Sequence, residues 1–398
     1  MNHYASFLTP PTIRYGRHAF EKVGEEAAKK GEHVLLISDD VMKDIGYVAQ
    51  CQKSLAKQRV KSTVYTGVGT EPTDTYVQEA LTLLEQEKCD VIVSLGGGSC
   101  IDTAKSAAVI AGNGGYIGDY MGGKKAALQK PLPHIAVPTT AGTGSEATDV
   151  TVITNTANDV KMMIKQPAFL PEAAIVDPLL TKSAPKPVKA ATGVDALSHA
   201  IESYLSTLAH PMTDMMALSA MERIVHNIMP AYDNAENTDA LEEMSIGAMQ
   251  AGLAFSNASV CLVHGMSRPI GALFHVPHGF SNAMLLPAVL EYTKDAAVER
   301  LADLGRIFDP EAKGKPDKTA ADIAVASVKE LCSRLNIPNL KGWGIDENDF
   351  VSAVDKMADD ALASGSPAKN PKVPNKKEIK DLYHICYDYD FSANINVN

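Results

Sequence analysis

A parallel-sheet α/β domain followed by an all-helical domain is the architecture this sequence predicts. Three observations carry that expectation. Short β-branched runs alternate with helical stretches up to about Lys165. A Pro-rich segment, Ser183–Val188, marks a change of texture, and beyond it Ala, Met, Leu and Glu dominate. A run of three glycines, Gly96-Gly97-Gly98, follows directly on an apolar β-rich run and leads into a helical one. Strands separated by helices of this length imply right-handed crossovers and a parallel sheet. With 398 residues the chain has room for two or three domains at roughly 150 residues each. The expected division is an α/β domain over residues 1–185 and a helical domain over residues 186–398.

Taken in order, His33–Ser38 (HVLLIS) reads as a buried strand and Lys43–Gln58 as an amphipathic helix. Ser62–Thr66 is a strand, Asp74–Glu87 a helix, Asp90–Leu95 a strand and Ser99–Ala111 a helix. His134–Val137 is a further strand. Thr151–Thr154 and Val160–Lys165 flank an Asn/Asp-rich loop, which predicts a hairpin appended to the sheet. After the Pro-rich boundary, helical periodicity covers Thr192–Ser206, Met212–Met229, Thr238–Phe255 and Lys318–Leu335. Ser364–Lys377, rich in Pro and Lys, reads as a surface loop.

Composition narrows the function. Apolar residues make up 45% and charged residues 21% of the chain, as in ordinary globular proteins. The net charge is −11. An acidic surface repels phosphate backbones and anionic lipid, which argues against a nucleic-acid or membrane-surface role. None of the six cysteines forms a C-x-x-C pair, so neither a disulfide framework nor a thiolate zinc site is indicated. The first residues lack a basic start and an apolar run. A reduced, cytoplasmic protein is the expectation. Met244–Ser267 contains no Asp, Glu, Lys or Arg. It carries Gln250, Asn257, His264 and several serines, so it reads as a buried helix rather than a membrane span.

Two loops can hold a nucleotide. Gly97, Gly98 and Ser99 lie between a strand and a helix, where backbone approaches a pyrophosphate closely and helix-start N–H groups favour anions. This is not G-x-G-x-x-G, and a tight β–α turn explains the glycines equally well. Asp102 falls in the first helical turn, where an acid also suits the helix dipole. Asp39, at the end of the strand that closes with Ser38, is placed to accept from ribose hydroxyls and to repel a 2′-phosphate, favouring NAD over NADP. Helix capping is the plainer reading of Asp39, and Asp40 can serve as well. The stretch Pro138–Glu146 (PTTAGTGSE) puts hydroxyls and glycines just after a parallel strand, the usual crevice for a ligand.

A second set of residues has the character of metal ligands. Asp195 and His199 are four apart in GVDALSH, so on a helix they share one face. His264 and His278 lie in a stretch poor in charge. One carboxylate and three imidazoles suit Fe(II) or Zn(II) better than Ca or Mg. A hydrogen-bonded core histidine is the alternative for each one taken singly.

These motifs together resemble the iron-containing (group III) alcohol dehydrogenase family. The resemblance runs nearly the whole chain, through GGGSCIDTAK (96–105), PTTAGTGSE (138–146), GVDALSHAIESYLST (193–207), AFSNASVCLVHGM (254–266), VPHGFSNAMLLP (276–287) and NPKVP (370–374). It implies a dinucleotide-binding domain and a helical domain with the site in the cleft between them. Asp195, His199, His264 and His278 fall on the family's metal ligands, for which Fe(II), Zn(II) and Mn(II) all fit. Asp39, Gly97, Gly98, Ser99, Thr139, Thr140, Thr143 and Lys161 fall on its NAD(H)-contact positions. Phe255 falls where an aromatic lines the nicotinamide pocket. The resemblance also implies a homodimer or larger homo-oligomer and a small aldehyde or alcohol substrate. Metal- and NAD-using synthases similar to dehydroquinate synthase share the general architecture, and net NADH consumption separates the two.

One position departs from the family pattern. Many members carry His four residues after the third ligand, where this chain has Arg268. Arginine is no general base near neutral pH. His275 is a candidate replacement, or an orienting or core residue. Asp149, Phe255 and Arg268 are the substrate-side candidates. A guanidinium beside a metal calls for an anion. Either the substrate brings one, as succinic semialdehyde or sulfoacetaldehyde would, or an internal carboxylate such as Asp149 or Glu202 pairs with it.

Overall fold

A computed structural model describes residues 4–392. They form two compact units, one spanning Leu8–Ala184, the other running from Pro185 onward together with residues 4–7. The Phe7 ring meets His210 of the second unit edge-on at 6.2 Å.

In the first unit the strands are β1 (Thr12–Tyr15), β2 (His33–Ile37), β3 (Lys61–Tyr65), β4 (Val91–Gly96), β5 (His134–Pro138), β6 (Val150–Asn155), β7 (Val160–Lys165) and β8 (Ala173–Val176). Its helices are α1 (Val23–Ala28), α2 (Asp40–Asp44), α3 (Tyr47–Lys57), α4 (Asp74–Glu87) and α5 (Gly98–Asn113). Six strands make one parallel sheet in the order β1-β8-β5-β4-β2-β3. Strand β4 is central and buried along its whole length, which is why its sequence is a nearly continuous apolar run. Side chains alternate between two cores. Leu35, Ile37 and Ile92 face the layer of α4 and α5, whereas Val34, Leu36, Val91 and Val93 face that of α1 and α3.

Two local expectations are corrected here, and two strands are new. The hairpin β6–β7 is not appended to the sheet but forms a two-stranded sheet of its own. A carboxylate takes the place of a neighbouring strand, since the Val152 N–H donates to Asp102 Oδ2 at 2.8 Å. The helix expected over Lys43–Gln58 is broken at Gly46, whose φ of +88° ends α2 and starts α3. The strands β1 and β8 were not foreseen. Both are four residues long, too short for TIRY and AAIV to show a strand period despite their β-prone residues.

The second unit is helical: α6 (Lys186–Leu205), α7 (Pro211–Asp233), α8 (Thr238–Ala258), α9 (Leu262–Phe274), α10 (His278–Thr293), α11 (Val298–Phe308), α12 (Asp317–Arg334), α13 (Leu340–Trp343), α14 (Glu347–Ala363) and α15 (Lys376–Tyr387). The uncharged stretch Met244–Ser267, expected as one buried helix, is two. Ser259 takes a φ of +71° after α8, and α8 and α9 meet at 102°. Among the described residues no single helix is long and apolar enough to cross a membrane. Cys261 gives α9 no side-chain cap. The Glu202 carboxylate on α6 does so instead, accepting from the N–H groups of Val263 at 2.6 Å and His264 at 3.4 Å.

Close helix packing sets a stability prediction. A Cβ on Gly305 of α11 would lie 1.9 Å from the carbonyl oxygen of Ala320 on α12. Backbone cannot yield as a flexible side chain does, so Gly305→Ala is expected to destabilise by about 3 kcal/mol. Chemical denaturation checks this, and a midpoint unchanged from wild type contradicts the packing described.

Candidate active site

Helix α6 delivers three functional side chains from one face: Asp195, His199 four residues on, and Glu202 three further. Helix α9 adds His264, and α10 begins with His278. One donor atom from each of Asp195, His199, His264 and His278 lies within 4.8 Å of the others. The Asp195, His199 and His264 side chains are buried, whereas His278 keeps 34% of its side chain exposed and marks the solvent side. Phe255, from α8, stacks on His199 with ring centroids 4.3 Å apart, and His199 stacks on His264 at 4.4 Å. This column shields the imidazoles from water.

The hydrogen bonds settle how the ligands present themselves. Glu202 Oε2 lies 2.5 Å from His264 Nδ1. The ring donates through Nδ1–H to this carboxylate and directs Nε2 toward Asp195, the arrangement that orients metal-bound histidines. Burial opposes charge on Asp195, but the surrounding His199, His278 and His264 outweigh it and hold its carboxyl well below the usual range. Burial likewise works against a charged His264. Glu202 and Asp195 overcome it and raise that imidazole's pKa. A mixed N/O donor set with one carboxylate, mutually close and largely buried, fits a divalent transition metal.

In the α/β unit, β4 runs into α5 through Gly97, which offers no side chain to cap the helix. The first-turn amides are thus suited to an anion. A Cβ on Gly98 would sit 2.9 Å from the Thr143 side chain, so the two loops touch only because that residue is glycine. The Thr139 N–H donates to the Gly96 carbonyl at 3.0 Å and fixes the second loop beside the first. The Thr140 side chain lies next to Gly97. Asp39 caps α2, accepting from Met42 N–H at 2.8 Å, while its Oδ2 lies 3.7 Å from Cys100 Sγ at the start of α5. Asp39 therefore both caps α2 and reaches the start of α5, and Asp40 is exposed.

Other candidates have different employment. Asp102 accepts from Ser145 Oγ at 2.5 Å and from Val152 N–H, so its carboxylate braces the second loop and the hairpin against α5. Lys161 pairs with Glu71. Asp149 pairs with Lys165 at 2.5 Å. His275 is exposed and ends α9 in the left-handed conformation, φ 54°, a backbone position rather than a place in the imidazole column. Arg268 lies one turn after His264, and α9 continues through Pro269. Its guanidinium Nη1 donates to Ser366 Oγ at 3.1 Å. Sequence reasoning missed Asn282, whose Nδ2 lies 2.7 Å from Asp195 Oδ1, and Ser366, and saw Glu202 only as a partner for Arg268. The i, i+7 spacing from Asp195 to Glu202 and the i, i+4 spacing from His278 to Asn282 were the available signals.

Comparison with known proteins agrees with this geometry. Residues 10–178 match the family model for iron-containing alcohol dehydrogenase, and residues 189–387 match that for the C-terminal part of the Fe-containing alcohol dehydrogenase family. The chain belongs to this family. The dehydrogenase is 37% identical to 1,3-propanediol dehydrogenase of Citrobacter freundii over 386 residues, covering 96% of this chain and 98% of the relative. Among solved structures, 1,3-propanediol oxidoreductase superposes with a TM-score of 0.92 at 35% identity, covering 97% of this chain and 100% of that one. Sulfoacetaldehyde reductase from Bifidobacterium kashiwanohense, solved in complex with NAD+, gives a TM-score of 0.86 at 29% identity, covering 98% and 100%. This protein is an NAD-dependent, iron-type oxidoreductase acting on alcohols and aldehydes. The family resemblance read from the motifs is thereby established.

Proposed function

We propose that the preferred substrate is a short-chain aldehyde with an anionic carboxylate or sulfonate group, which Arg268 binds. The observation that carries this reading is a guanidinium with no carboxylate in ion-pair contact. Arg268 is partly buried, and among the described residues no carboxylate pairs with it. Of the two internal partners considered, Asp149 is taken by Lys165 and Glu202 by His264. Burial lowers the Arg268 pKa to about 10, with Glu202 opposing the shift. The group stays charged near neutral pH, so it is an anion receptor rather than a base. Substrate supplies the missing charge in bidentate geometry.

When bound, the metal and the nicotinamide supply Lewis-acid polarisation of a carbonyl and a hydride, respectively. Asp195, His199, His264 and His278 would hold the metal. Glu202 keeps the proton on His264 Nδ1, Phe255 excludes water from the imidazole faces, and the loops around Gly98 and Thr143 would hold the dinucleotide. A general short-chain diol or alcohol dehydrogenase is the second reading, favoured by the 37% identity to 1,3-propanediol dehydrogenase.

The test compares wild type, Arg268→Gln and Arg268→His in NADH oxidation with propanal, sulfoacetaldehyde and succinic semialdehyde. Charge-assisted hydrogen bonds contribute roughly 1.5–3 kcal/mol. Either variant is therefore expected to lose at least about tenfold in kcat/KM on the anionic aldehydes, with propanal nearly unchanged. A wild type that prefers propanal, or an equal loss on all three, makes Arg268 structural and supports the second reading.

A further inference from the structure

The stretch Ser364–Lys377, expected as a surface loop, is in its first half tied down on the helices that carry the metal ligands. The Lys369 carbonyl accepts from the N–H of Thr207, just after α6, at 2.9 Å and from Cys261 Sγ, just before α9, at 3.4 Å. Asn370 Nδ2 donates to Thr293 Oγ1, at the end of α10, at 3.0 Å. Pro367 packs on α9, where a Cβ on Gly265 would lie 2.7 Å from its ring. Glycine at that position lets the segment approach α9 one turn before Arg268.

Ser366 belongs to this segment and is 3% exposed. Its N–H donates to Ser364 Oγ at 3.3 Å, and its carbonyl accepts from Lys369 N–H at 2.9 Å, closing the turn Pro367–Lys369. The backbone is fixed on both sides, so the hydroxyl oxygen has a set place from which to accept from Arg268 Nη1 at 3.1 Å. This partner is neutral. A hydroxyl holds one guanidinium N–H without cancelling its charge. A carboxylate in the same place would form an ion pair and take the bidentate edge that an anion needs.

We propose that Ser366 is a positioning residue for substrate specificity: it holds Arg268 in one orientation while leaving its charge to the anionic group of the aldehyde. The inference deepens the anionic-substrate reading and rests on it. A mobile arginine must be immobilised when an anion binds, and that ordering weakens binding. Holding the guanidinium from a pinned segment completes most of the ordering before substrate arrives.

The experiment measures kcat and KM of the Fe(II)-reconstituted, full-length enzyme with NADH and propanal, sulfoacetaldehyde or succinic semialdehyde. The quantity read is the anionic preference, the ratio of kcat/KM for an anionic aldehyde to that for propanal. Ser366→Ala deletes only the hydroxyl and is expected to lower this preference about fivefold, through KM on the anions rather than kcat. Ser366→Asp supplies an internal carboxylate and is expected to lower it at least about fiftyfold. In an Arg268→Gln background the Ser366→Ala effect should vanish, because the hydroxyl acts only through Arg268. Melting temperatures are taken alongside, and Ser366→Ala carries the answer should the aspartate disturb folding.

A wild-type preference for the anions that both Ser366 variants leave intact would overturn the proposal and keep Arg268 as the anion site. An equal loss on all three aldehydes, or a Ser366→Ala loss that persists without Arg268, would overturn it too, by making the hydroxyl structural. A wild type that prefers propanal would instead remove the reading of Arg268 on which the proposal stands.

Discussion

Asp195→Ala is expected to abolish metal binding and turnover together. Asp195 is the sole anion among the four ligands and is 1% exposed. Without it, three neutral imidazoles face a dication with no compensating charge in a largely buried site. Lewis-acid polarisation contributes several kcal/mol to reactions of this kind. A fall in kcat/KM of at least about a thousandfold follows, since each 1.36 kcal/mol is tenfold. Metal content by atomic absorption should fall in parallel. Full turnover by a metal-free Asp195→Ala protein would sink the assignment of these residues.

Glu202→Gln should produce the second large effect, through a residue that does not touch the metal set's donor atoms. Its carboxylate accepts from Val263 N–H, His264 N–H and His264 Nδ1. An amide in its place has one oxygen for these donors and turns its own N–H groups toward the rest. The proton on His264 is then free to move to Nε2, where it blocks coordination. Loss of such an orienting partner typically costs 10- to 100-fold in metal affinity. The start of α9 also loses part of its cap, so stability should fall by about 2 kcal/mol. Chelator competition and urea denaturation read the two effects separately. Unchanged affinity would show that another group holds the tautomer.

How much of this was legible beforehand depended on whether the information was local. The central strands could be read because both faces are buried, which leaves long apolar runs such as Val91–Leu95. The short strands β1, at the sheet edge, and β8, beside it, were not legible, because runs of four residues are too short to show a period and pairing partners make them strands. The breaks at Gly46 and Ser259 depend on a single backbone angle each. Helical spacing exposed Asp195 and His199, a charge-poor stretch pointed to His264 and His278, and the family motifs joined the four. Asn282, Ser366 and the capping role of Glu202 act across helices distant in sequence, where periodicity says nothing. Asp102 taught the opposite lesson. Its first-turn position suggested cofactor contact or capping, and only the folded chain reveals its bonds to Ser145 and Val152.

The metal ligands come from three helices, α6, α9 and α10, whose ligand positions span residues 195 to 278. An ion gripping all three is also a cross-link. It recognises the assembled helices and not the extended chain, so at a hundredfold excess over its dissociation constant it adds about 2.7 kcal/mol to the folded state. That is roughly a hundredfold fewer openings through which a protease can reach the backbone when opening is fast relative to cleavage. The enzyme's lifetime is thereby tied to the supply of its catalyst: chains that have acquired the ion persist, and chains that have not are the ones preferentially returned to amino acids.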